Sequence, residues 1–269
     1  MSEILILSVL QGVAEFLPVS SSGHLAIGQW LLGLEMPEMR LELCLHAGTL
    51  VSICIFYRKT LTQLLHGLFA PAADSAERRA AWRYAIALVA SAAPAVAVYF
   101  LFRERIEAAF ADVRAIGAFL MFTGAVLLGT RFLPRRNAPV TLLRALAMGA
   151  GQALALLPGV SRSGMTIACA RGAGVDPEKA AEFSFLMSAP LIAGGLALEI
   201  AKCAAKSGAQ EAAQSAAAPD WGALALGAAV SAAVGLLALK LLLKSLRGRW
   251  FWLFGPYCIA AGLAILAFA

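Results

Sequence analysis

Charged residues are scarce in this chain. Asp, Glu, Lys and Arg make up 14% of its 269 residues, against about 25% in an average soluble domain, while 61% are hydrophobic. That shortage excludes a water-soluble globular protein and leaves an integral membrane protein. No Lys or Arg precedes Arg40, so the basic start of a cleavable signal peptide is missing and the first apolar run is expected to stay as part of the fold. The five cysteines, Cys44, Cys54, Cys169, Cys203 and Cys258, contain no CxxC pair. Four lie in or beside apolar runs, where a thiol behaves as a small hydrophobe, so neither disulfides nor a cysteine metal site is expected. The net charge of +6 sits in short loops between apolar segments, as topology signals do; lipid headgroups rather than nucleic acid are the expected acidic neighbours.

What is present is apolar length. Six segments, near 41–57, 84–102, 113–133, 183–201, 221–243 and 250–268, are long enough to cross a hydrocarbon core. Two further regions are not. Residues 3–17 stop at Pro18 and 20–33 resume after three serines; 142–157 and 161–172 are broken at "LPGVSRSG". Each piece is about 20 Å long at 1.5 Å per residue, too short to span, so each pair predicts a re-entrant helical hairpin. Broken backbone at membrane depth is tolerated only where it is buried in protein or lines a polar cavity, so both breaks point at a site.

The predicted fold is therefore all-α and integral to the membrane: one domain over 1–269, built as two inverted repeats, about 1–135 and about 140–269. Each repeat is a re-entrant hairpin plus three transmembrane helices. Aligning Gln11–His24 with Gln152–Met165 without gaps gives six identities in fourteen positions. If the N-terminus is outside, the loops at 58–83, 131–144, 171–182 and 240–249 face the cytoplasm and hold 15 of the 22 Lys and Arg residues, as the positive-inside rule requires. Six more (Arg40, Arg103, Arg105, Arg114, Lys202, Lys206) lie outside, and Arg162 alone is left at membrane depth. The connection at 204–220 is rich in small residues and reads as a flexible link without chemistry.

Comparing the hairpins separates shared positions from unique ones. Ser20, Ser22 and Gly23 recur as Ser161, Ser163 and Gly164, and their simplest role is to turn the chain and cap the next helix. The differences are Glu15 against Leu156, Ser21 against Arg162 and His24 against Met165. One hairpin thus carries carboxylate, hydroxyl and imidazole, and the other a guanidinium. That set suits phosphoryl chemistry: a serine can attack phosphorus, a carboxylate or imidazole can carry the proton, and an arginine can fork onto phosphate oxygens. Gln11 and Glu15, four apart, share a helical face.

Each residue also has a plainer reading. Glu15 can hydrogen-bond a helix end, Arg162 can neutralise Glu15 in a structural pair, and His24 can pin the turn by bonding to backbone. Thr166 extends a phosphate cradle or bonds back to its own helix. Glu42 and His46, one turn apart, bind a metal, tune the pocket or simply start an amphipathic helix. His66, in a basic loop, is assigned nothing.

The stretches "QGVAEFLPVSSSGHL" and "PGVSRSGMT", followed by "ELCLHAGTL" and "EFSFLMSAP" respectively, resemble the BacA-type undecaprenyl-diphosphate phosphatases along the whole chain. The resemblance implies hydrolysis of undecaprenyl diphosphate to the monophosphate, recycling the lipid carrier of cell-wall synthesis, with bacitracin resistance as a side effect. It implies an inner-membrane enzyme with interlocked inverted repeats and an outward-facing site, frequent homodimers among membrane lipid, and dependence on a divalent cation such as Mg or Ca. The family's (E/Q)xxxE motif falls on Gln11 and Glu15, its serine on Ser21 and its histidine on His24. Its PGxSRSxxT motif falls on Pro158, Gly159, Ser161, Arg162, Ser163 and Thr166. The catalytic set implied is Glu15, Ser21, His24 and Arg162, with Gln11, Ser20, Ser22, Ser161, Ser163 and Thr166 binding substrate and Glu15 as a metal ligand. Gln11 is the neutral variant of its position, and His46 stands where many members have glutamine. Membrane phosphatases of the PAP2 type are excluded, because the histidine they require after "SR" is absent from "SGMTIACARG". The competing reading is a polyprenyl-phosphate flippase, since inverted repeats with broken helices are a transporter plan. Whether Ser21 or a metal-activated water attacks, and whether Glu15 or His24 moves the proton, stay open at this level.

Overall fold

A computed structural model describes residues 1–31, 39–206 and 221–268; the side chains of 30–31, 39–40, 199–200 and 202–206 lie outside that description. Arg40, Lys202, Cys203, Lys206 and most of the 204–220 link therefore fall outside it. The described residues are helical: α1 (Ser2–Ala14), α2 (Ser21–Leu31), α3 (Met39–Phe56), α4 (Arg58–Phe69), α5 (Ser75–Phe110), α6 (Val113–Gly129), α7 (Leu142–Leu154), α8 (Arg162–Gly172), α9 (Pro177–Lys206), α10 (Trp221–Arg247) and α11 (Phe254–Phe268).

Five of these are long and apolar enough to cross a membrane, or six if the bent pair α3–α4 is counted as one. α3 and α4 meet at 76°, so the segment after Phe56 is not the plain loop predicted for 58–83 but a second helix followed by the start of α5. α5 begins well before its apolar stretch because Asp74 and Glu77 form a reciprocal capping box. Asp74 Oδ1 accepts from the amides of Ala76 and Glu77 at 2.7 Å each, and Glu77 Oε2 accepts from the Asp74 amide at 3.4 Å. Both short pairs fall where the sequence breaks, α1–α2 around Pro18 and α7–α8 around Pro158 and Gly159.

Packing is set by small residues, as expected where lipid removes most of the hydrophobic drive between helices. α6 lies along α11 on two glycine pairs, Gly117 with Gly262 and Gly124 with Gly255; a Cβ on Gly124 would sit 2.6 Å from the Gly255 carbonyl oxygen. Gly12 of α1 brings that helix onto α10 at Ser231 and Val234, and Gly149 of α7 does the same on α5 at Ser91 and Pro94. Phe16, Phe183 and Phe185 are fully buried in one apolar cluster, with the rings of Phe16 and Phe185 edge to face at 5.3 Å. Large apolar side chains such as Val89, Phe100, Phe132 and Leu143 stay exposed, a surface suited to lipid.

Candidate active site

The two breaks carry similar letters but different backbones. In the second, the left-handed residue is Gly159 (φ 92), and Ser161 caps α8 by accepting from the Gly164 amide at 3.1 Å. The position of the first break that aligns with Gly159 is Pro18, whose ring fixes φ near −65° and forbids that conformation. The left-handed turn is displaced to Ser20 (φ 71), an uncommon state for a residue with a Cβ. Ser20 still caps, accepting from the Gly23 amide at 3.3 Å. The Ser20–Ser22 hydroxyl pair and its counterpart Ser161–Ser163 both lie at 3.3 Å.

The breaks touch each other. A Cβ on Gly23 would lie 3.2 Å from the Gly159 Cα, and one on Gly164 would meet Pro18 at 3.4 Å. Ser163 Oγ donates to the Leu17 carbonyl at 3.3 Å. Thr123 of α6 locks the second break from behind: its hydroxyl donates to the Gly159 carbonyl at 3.0 Å and accepts from the Ser161 amide at 3.1 Å.

Glu15, 4% exposed, is where the side chains of the two hairpins converge. Its Oε1 pairs with Arg162 Nη2. Its Oε2 accepts from Ser21 Oγ at 2.7 Å and from Gln11 Nε2 at 3.1 Å, and His46 Nε2 lies 3.7 Å away. A buried carboxylate is tolerable with such partners and costly without them. The structure thus brings together Gln11, Glu15, Ser21 and Arg162.

His24 has partners of its own. Its Nδ1 is 2.9 Å from the Ser20 carbonyl, which can only accept, so Nδ1 carries the proton. In the neutral ring Nε2 then holds the lone pair and accepts from the Tyr257 hydroxyl at 2.7 Å. The two rings stack with centroids 5.6 Å apart. Thr166 bonds back to the Arg162 carbonyl at 2.8 Å and to the Ser184 hydroxyl at 2.6 Å. Glu42 holds His46 through its carbonyl, which accepts from Nδ1 at 2.8 Å, and its carboxylate accepts from Gln29 at 3.3 Å.

Sequence reasoning missed Tyr257, Thr123 and Ser184, and placed His46 among weaker candidates. Tyr257 is a lone phenol at the start of an apolar span, the ordinary look of an interface anchor. Thr123 and Ser184 sit inside spans where a hydroxyl usually bonds its own helix.

The family model of the bacitracin resistance protein BacA matches residues 4–264. The chain belongs to that family. An undecaprenyl-diphosphatase of Desulfatibacillum aliphaticivorans is 39% identical over 98% of this chain and 97% of its own length. Its namesake in Salinibacter ruber is 41% identical over 73% and 76%, and that of Pelotomaculum thermopropionicum 34% over 99% and 96%. Of the residues in the two stretches that resemble this family, Gln11, Glu15, Ser21 and Arg162 are the ones that meet at the Glu15 carboxylate.

Proposed function

We propose that this protein hydrolyses undecaprenyl diphosphate to undecaprenyl phosphate and inorganic phosphate, conferring bacitracin resistance. The supporting observation is a hydroxyl hydrogen-bonded to a buried carboxylate, Ser21 on Glu15, with the Arg162 guanidinium beside them. Ser21 Oγ attacks the terminal phosphorus as its proton passes to Glu15. The P–O bond to the lipid phosphate breaks, and the lipid monophosphate leaves. Water then cleaves the phosphoserine and releases phosphate. Glu15 rather than His24 takes the serine proton in this reading, because both nitrogens of His24 are engaged by Ser20 and Tyr257. A guanidinium has five N–H groups; one holds Glu15, which leaves others to donate to the charge that builds on the transferring phosphate.

A divalent cation fits this pocket as a guest shared with substrate. Gln11 Oε1 is buried without a partner among the described residues, and it adjoins the Glu15 carboxylate. An amide oxygen and one carboxylate, completed by substrate phosphates, are donors that magnesium accepts. Among the described residues no cluster of three or more His, Cys, Asp or Glu forms an all-protein cage. When bound there, the cation would draw charge from the phosphate oxygens it touches.

The same proposal sets the enzyme in the bacterial inner membrane with its N-terminus and site outward, and treats its halves as inverted repeats. Supporting the repeats, α1 packs on α10 while its counterpart α7 packs on α5, the counterpart of α10. The test is phosphate release from undecaprenyl diphosphate by pure protein in detergent. A flippase needs no hydroxyl–carboxylate pair and has no second compartment there; absence of release refutes the hydrolytic reading.

A further inference from the structure

Gln152 aligns with Gln11 in the repeat comparison, yet its environment differs. Gln11 donates to Glu15, four residues on. The residue four on from Gln152 is Leu156, so the partner that the first hairpin supplies is missing from the second. Gln152 is 3% exposed, and neither its Nε2 nor its Oε1 has a hydrogen-bond partner among the described residues. An amide left this way is costly unless something else satisfies it.

Gln152 also lines a groove of about 280 Å³ whose walls are Ala95, Val96 and Phe100 of α5, Ala155 and Leu156 of the second break, and Leu191 of α9, and which reaches Arg162. Val96, Phe100 and Leu191 are exposed, so the groove opens toward the surface that lipid covers. It joins an apolar channel, an orphaned amide and the guanidinium of the proposed site.

We propose that this groove seats the first isoprenoid units of the substrate. We further propose that Gln152 is a substrate-binding residue donating Nε2–H to an oxygen of the phosphate that stays on the lipid. Leu156, in place of a second glutamate, then serves twice: it leaves the amide free, and it keeps a negative charge away from the diphosphate. Arg162, between groove and Glu15, would face the phosphates while the chain runs outward between α5 and α9. This assignment rests on the diphosphatase reading.

The experiment compares KM for undecaprenyl diphosphate with the inhibition constant of methylenediphosphonate, which has phosphonates but no tail. Val96→Trp and Ala155→Phe fill the groove from opposite walls; each is expected to raise KM several-fold and leave the inhibition constant unchanged. Gln152→Leu is expected to raise both by about tenfold, the loss of one hydrogen bond to a charged group. Gln152→Asn, too short to reach, should act in the same direction and replaces it if the leucine variant does not fold. Groove-filled variants with wild-type KM, or Gln152 variants with both constants unchanged, overturn the proposal. Wild-type protein that releases no phosphate would instead refute the reading beneath it.

Discussion

Glu15 and Arg162 stand 147 positions apart in the chain and form an ion pair across the meeting of two helix breaks. Neither break alone makes a site. The first brings carboxylate and hydroxyl together, the second brings the cation, and contact at Gly23, Gly159, Gly164 and Pro18 holds them in register.

Arg162 is expected to tolerate lysine poorly. Lysine keeps the charge but cannot hold Glu15 and fork onto phosphate in one plane. Turnover of Arg162→Lys should fall by about a hundredfold or more, the usual loss when a donor to transition-state charge is removed. Steady-state kinetics on undecaprenyl diphosphate check this, and near-normal turnover would reduce Arg162 to a point charge.

The three serines should separate. Ser21→Ala removes the group bonded to Glu15 and should lower turnover by orders of magnitude while substrate still binds. Ser20→Ala and Ser22→Ala should act mainly on stability or affinity, because those hydroxyls bond to each other and, for Ser20, to the Gly23 amide. Single-turnover kinetics beside substrate binding on all three variants distinguish these effects.

His24 should carry its proton on Nδ1. Nitrogen-15 spectra of histidine-labelled protein are expected to show Nδ1 protonated and Nε2 bare, and in Tyr257→Phe the Nε2 signal should shift as its donor is lost. A wild-type ring protonated only on Nε2 would contradict the bond to the Ser20 carbonyl.

The glycine seam between α6 and α11 gives a stability prediction. Gly124→Leu forces a side chain against the Gly255 carbonyl and Ile259 and should cost about 1–3 kcal/mol as an overpacked contact. Gly129→Ala, where a Cβ meets nothing within 4 Å, should be neutral or slightly stabilising. Thermal unfolding in one detergent compares them.

Most of the fold's plan was legible because membrane depth leaves few choices. Pro18 and the Pro158–Gly159 pair marked the breaks, and the rare ionisable residues beside them, Glu15 and Arg162, are the ones the structure pairs. α4 was hidden because Arg58 and Lys59 read as the end of a span, although the chain only bends there. The early start of α5 was hidden behind the charges of 77–83, which the Asp74 cap turns into an ordinary helical turn. His24 and Tyr257 were beyond reach for a different reason. Their contact joins residues 233 positions apart, and no periodicity within either segment records it. The shift of the left-handed turn from Gly159 to Ser20 followed from the fixed ring of Pro18, a constraint visible in the letters but hidden by aligning the serines.

Mass spectrometry of enzyme quenched in acid during turnover tests Ser21 as the nucleophile most directly. A phosphoserine at Ser21 is expected, present in wild-type protein and absent from Ser21→Ala. Wild-type enzyme that turns over with no phosphoserine at Ser21, even under conditions that slow the second step, would contradict covalent catalysis by this residue and give the attack to water.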